Sequence, residues 1–151
     1  MITNKKLKST RFFKPYNEDG SYNLKTTGTG VYIIKKNDRI LYVGLSLTDV
    51  RNTLYRHFQK WTDKRTNWTK KKEIYERITY EGQNRNMFLV KVIFTPTKEE
   101  ARILESLLIL KLKPVDNTLK LELYSNKEMQ AMTFKVNTAD NWKPSNIDID
   151  F

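Results

Sequence analysis

GVYIIKKNDRILYVG, residues 30–44, decides the fold. It holds two runs rich in β-branched and aromatic residues, 30–35 and 39–44, around Asn37-Asp38. Such a pattern reads as a β-hairpin. Gly30 and Gly44 lie together at the end far from the turn, where a strand glycine marks close approach of a backbone or a ligand. Tyr32 and Tyr42 are ordinary strand residues by type, and core packing accounts for either one alone.

Downstream of the hairpin the period changes. Val50, Leu54, Phe58 and Trp61 recur at helical spacing, with Thr48 or Asp49 placed to cap the helix. Two further strand-like segments, 76–81 and 87–94, flank a polar Gly82–Asn86 turn and predict a second hairpin ended by Pro96. Thr97 followed by Glu100 is a capping box. It opens a helix running to about Lys111, which Pro114 stops. Strand, strand, helix, strand, strand, helix predicts a small α/β or α+β domain built on a mostly antiparallel sheet flanked by helices. Residues 1–28 read as a basic arm, with Pro15 and Gly20 as breakers and Phe12, Phe13 and Tyr16 to dock it. Residues 29–118 read as the domain, and 119–151 as an extension packed on it or partly mobile.

The chain has 151 residues, enough for one such domain, and a net charge of +11. That surplus favours a polyanionic partner, because each neutralised phosphate releases counterions. A solubility surplus is the plain alternative. Cysteine is absent, which excludes disulfides, thiolate nucleophiles and zinc–thiolate sites. The single histidine, His57, excludes a metal site made of histidines. The basic N-terminus leads into no apolar run, and residues 103–112 are too short and too charged to span a bilayer. The expectation is a cytoplasmic protein that makes no use of a membrane.

Glu105 is the residue most at odds with its surroundings. With Ala101 set at 0° and about 100° per residue, Leu104, Leu108 and Leu112 fall at about 300°, 340° and 20°. Glu105 falls at about 40°, inside that apolar stripe. A carboxylate there must be paired, protonated or metal-bound. An ion pair with a lysine or arginine of the sheet is one answer, and a hard divalent cation is the other. From Lys60 to Lys72 the chain carries Lys60, Lys64, Arg65, Lys70, Lys71 and Lys72 against Asp63 alone, interleaved with Trp61 and Trp68. A solvated face explains such a run. So does nucleic acid, whose phosphates the cations would hold while bases stack on Trp68; Trp61 belongs to the helix stripe.

Gly30-Val31-Tyr32, nine intervening residues, then Tyr42-Val43-Gly44 resembles the paired motif that names the GIY-YIG nucleases. Residues 54–58, which include Arg56-His57-Phe58, resemble the helix that follows the second motif in the family's homing endonucleases. Residues 99–105 resemble its glutamate helix. Lys113-Pro114-Val115-Asp116-Asn117 resembles the ending of that helix, with Asn117 twelve residues after Glu105 as in the excision-repair members. The resemblance covers about residues 28–118. It implies a metal-dependent endonuclease that hydrolyses phosphodiester bonds, with DNA the expected substrate. It also implies a single magnesium or manganese ion on Glu105. Tyr32 or Tyr42 would help deprotonate water, His57 would hydrogen-bond in that network, and Asn117 would brace the site. The family's arginine commonly precedes this histidine by four residues; that position is Thr53, and Arg56, beside it on the helix, is the expected substitute. A binding module on the same fold with weak or lost catalysis is the alternative. Small stand-alone members occur in bacteria and their phages. Cutting both strands with one such site takes a dimer or two successive nicks.

The implied site needs both tyrosines on one face of the hairpin. A two-residue Asn37-Asp38 turn sends them to opposite faces, because a one-residue slip flips a side chain. An odd loop, Lys36-Asn37-Asp38, pairs Tyr32 directly with Tyr42 and is therefore expected.

Overall fold

The computed structural model describes residues 5–59, 79–117 and 147–148. Its frame is the hairpin of β2 (Gly30–Lys36) and β3 (Arg39–Ser46). The connecting turn has two residues after all: Lys36 pairs with Arg39, and Asn37 takes the left-handed backbone (φ 54°) that asparagine tolerates. The register then slips. Lys35 pairs with Ile40 but Ile34 pairs with Tyr42, so Leu41 is an extra residue on β3. This one-residue bulge does what the odd loop was expected to do. Tyr32 sits opposite Gly44, Tyr42 sits opposite Ile34, and both tyrosines point to one face.

β4 (Phe88–Phe94) runs antiparallel to β2, which gives a three-stranded sheet in the order β3-β2-β4. The expected second hairpin is not formed by the described part of its first strand. Residues 79–80 carry no strand and Glu81 begins a turn, while 76–78 lie outside the described residues. The reason is that the free edge of β4 is already taken by the N-terminal arm. Phe94 N donates to Lys8 O (2.8 Å), Thr10 N to Val92 O (2.9 Å), and Phe13 and Val90 exchange both backbone bonds (2.9 Å each). At the start of the arm, β1 (Lys5–Lys6) pairs in parallel with β5 (Ile147–Asp148) as a separate two-stranded sheet.

Alternation along the strands builds two cores. Val31, Ile33, Val43 and Ile93 meet Ala101, Leu104 and Leu108 of α2 (Lys98–Leu112) on one face. Each of the valines, isoleucines and leucines adds about 2 kcal/mol by leaving water. Thr97 caps α2 as its sequence promises, its side chain accepting from Glu100 N (3.2 Å). Lys113, in left-handed backbone, and Pro114 end the helix. The other face carries Tyr32, Ile34, Tyr42, Val90 and Val92 against α1 (Val50–Arg56). Of the two expected caps it is Asp49 that closes α1, accepting from Asn52 N (3.1 Å). The helix stops at Arg56; Phe58 stays buried just beyond it, and Trp61 lies outside the described residues. Among the described residues no helix is long and apolar enough to cross a membrane.

Candidate active site

The site begins at Gly44. Any Cβ there would collide with the Cζ and hydroxyl of Tyr32 and come within 2.8 Å of Cε1 of Tyr42. The Tyr32 ring therefore lies across the glycine. Gly30 has a different task, since a Cβ there would sit 2.6 Å from the Ile93 carbonyl of β4. It lets the two strands approach and touches neither tyrosine.

Laid across Gly44, Tyr32 brings its hydroxyl 2.7 Å from Nε2 of His57. His57 is the residue that ends α1, where its own N–H bonds to Leu54 O (3.2 Å). Its ring centroid lies 5.5 Å from Tyr32 and 4.8 Å from Tyr42, and the tyrosine rings are 6.0 Å apart. Tyr32 and His57 are 2% and 3% exposed and Tyr42 is 8%, so Tyr42 is the member nearest to solvent. With Nε2 unprotonated the tyrosine donates to the imidazole; in the other tautomer the imidazole donates to the tyrosine oxygen.

Asn117 reaches the same strand from outside. β3 is an edge of the sheet, and Val43 turns its N–H and C=O outward. The Asn117 side chain accepts from Val43 N (2.7 Å) and donates to Val43 O (2.9 Å). One buried amide thus replaces a neighbouring strand and holds the backbone beside Tyr42. The chain reaches this edge from α2, which covers the opposite face. Asp116 continues the crossing and accepts a hydrogen bond from the Tyr80 hydroxyl (2.6 Å) on the α1 side. Tyr80 in turn packs its ring against His57 (6.2 Å), Phe58 (6.0 Å) and Phe88 (5.2 Å). Burial, and then the Asp116 carboxylate, push the Tyr80 phenol well above its usual range, so it remains a donor. Reading the sequence missed Tyr80 and Asp116. The one available hint was the position of Asp116 directly before Asn117.

Two of the other expected residues lie on the flanking helices, Arg56 on α1 and Glu105 on α2. Glu105 is half-buried on α2 between buried Leu104 and Ser106. Arg56 is half-buried at the end of α1, one residue before His57. Its charge is felt at Asp49, whose carboxyl is held below the usual range by the Thr27 hydroxyl, then the Asn52 amide, with Arg56 a smaller influence. Thr53 spends its hydroxyl on the Asp49 carbonyl (2.9 Å), within its own helix. Two other arginines serve the arm. Arg51 Nε donates to Leu24 O (2.7 Å), and the Arg85 guanidinium lies 4.0 Å from the centre of the Tyr16 ring. Lys60, Lys64, Arg65, Trp68, Lys70, Lys71 and Lys72 lie outside the described residues.

A tyrosine pair and a histidine thus gather on one face of a bulged hairpin, with an asparagine clamping its edge strand. A family model for the GIY-YIG catalytic domain matches residues 28–120, and the chain belongs to that family. No curated protein matches the chain.

Proposed function

We propose that the protein is a divalent-metal-dependent endonuclease that hydrolyses phosphodiester bonds in DNA, working in the cytoplasm. The observation that carries this reading is the 2.7 Å contact between the Tyr32 hydroxyl and His57 Nε2, beside Tyr42. Tyrosine, with a pKa near 10, is a poor base alone. A tyrosine that can pass its proton to an imidazole as it takes one from water is a better one. That favours Tyr32 over Tyr42 as the residue that activates water, with the more exposed Tyr42 orienting the attacked phosphate. Arg56 is assigned to the phosphate oxygens, which a guanidinium grips in bidentate fashion. Asn117 keeps β3, and with it Tyr42 and Gly44, in place.

Glu105 is the proposed metal ligand. Among the described residues no three His, Cys, Asp or Glu side chains gather. A single half-buried carboxylate suits magnesium or manganese, which complete their shells with water and phosphate oxygens. When bound, such an ion lowers the pKa of its water and polarises the phosphate. The lysines, arginine and tryptophan of 60–72 are proposed to track the backbone and stack on bases, which gives affinity with little sequence reading.

One observation favours a second reading, a binding module without catalysis: Thr53 stands at the family's arginine position with its hydroxyl spent inside α1. Nicking of supercoiled plasmid with magnesium or manganese separates the two. Metal-dependent nicking by the wild type, lost in Glu105→Ala, is the expected result. Binding without cleavage of plasmid, branched DNA or RNA supports the module instead.

A further inference from the structure

We infer that Tyr80 and Asp116 are positioning residues of the cleavage centre, holding the His57 imidazole in the place that serves Tyr32. The inference rests on the nuclease reading above. His57 closes a short helix, and a helix end of that kind frays unless something outside holds it. Tyr80 supplies the hold twice. Its backbone N–H donates to the His57 carbonyl (2.6 Å), and its ring stands beside the imidazole on Phe58 and Phe88.

Packing alone asks only for a phenyl ring at this position. The hydroxyl adds a directional bond to Asp116, 36 residues along the chain. Asp116 is half-buried, and a carboxylate placed there is costly unless it is hydrogen-bonded. The bond therefore ties the segment after α2 to the segment before β4. The next residue, Asn117, bonds both backbone groups of Val43, the neighbour of Tyr42. Two adjacent residues thus fix both walls around His57, with the strand of Tyr42 on one side and the ring of Tyr80 on the other. The raised pKa of Tyr80 fits this role, because a phenol that stays protonated anchors a neighbour and carries no proton in the reaction.

The chain has one histidine, so a nitrogen-15 histidine label reports on His57 alone. The experiment compares the ring nitrogen resonances of the full-length wild type, Tyr80→Phe and Asp116→Asn, together with plasmid-nicking kinetics and melting temperature. Tyr80→Phe is expected to shift the His57 ring nitrogen resonances and lower kcat on the order of tenfold, as small misplacements of reacting groups do. KM should stay near wild type, and the loss of rate should persist at temperatures where both proteins are fully folded, whatever the unpaired Asp116 carboxylate costs in melting temperature. Asp116→Asn, whose side-chain carbonyl still accepts the phenol proton, should keep most of the wild-type rate. Unchanged His57 resonances with a wild-type rate in Tyr80→Phe would overturn the inference, and so would a loss of rate that merely follows a fall in melting temperature. If the wild type cleaves nothing, the nuclease reading has failed, and the His57 resonances alone decide the positioning role.

Discussion

The two faces of the sheet are equally dry and chemically unlike. Against α2, the fully buried apolar residues are Val, Ile, Leu and Ala, which pack without direction, and buried Lys91, opposite Ile33, sends its amine to the Thr10 carbonyl of the arm (2.7 Å). Against α1 the same strands bury Tyr32 and Tyr42, joined by Tyr55, Tyr80 and His57. Each buried hydroxyl wants a partner. Tyr32 finds His57, Tyr80 finds Asp116, and Tyr55 reaches the Pro15 carbonyl of the arm while accepting from Leu24 N. One face therefore holds the fold together and the other holds polar groups at set distances. Leu41 sorts the residues between them: without its bulge Tyr42 would turn toward α2.

The difference can be broken most drastically at that residue. Deleting Leu41 should abolish nicking, because every residue of β3 beyond it changes face or the strand fails to pair; circular dichroism and the nicking assay together read this. Leu104→Ala sharpens the comparison from the aliphatic side. The cavity should cost about 2–5 kcal/mol in denaturant unfolding, while the rate per folded molecule, measured well below the melting temperature, stays near wild type. The smallest expected effect is at the cap of α1. Asp49→Ala should cost about 1 kcal/mol at neutral pH. Because the folded-state pKa of Asp49 lies below its ordinary value of 3.8, its contribution is present above that value and is lost as pH falls through the lower, folded-state one. Wild type and variant should therefore converge in stability in strong acid.

What the sequence could and could not say follows from the range of each interaction. The hairpin, the glycines and the capped α2 were legible because their signals lie within a few residues of one another, as in Thr97 and Glu100. That the tyrosines must share a face was also legible. Its device was not, because Asn37-Asp38 suits a two-residue turn and nothing in the Ile40-Leu41-Tyr42 run marks a bulge. The edge of β4 expected for 76–81 is taken by the arm, and 79–81 form no strand. A strand's pattern tells which way its side chains point but not which neighbour it chooses, and the polar segment at Lys8–Phe13 carries little alternation to declare itself. Tyr80 and Asp116 were missed because their bond joins residues 36 apart and nothing near either one in the sequence marks it.

The central claim is that the tyrosine face does chemistry and contributes little that a plain core would not supply. Tyr32→Phe tests it most directly, since it removes one oxygen from a ring whose packing stays intact. The account predicts a fall in plasmid nicking of about a hundredfold or more, with DNA affinity and melting temperature close to wild type. Nicking at the wild-type rate, or a loss explained entirely by unfolding, would contradict it.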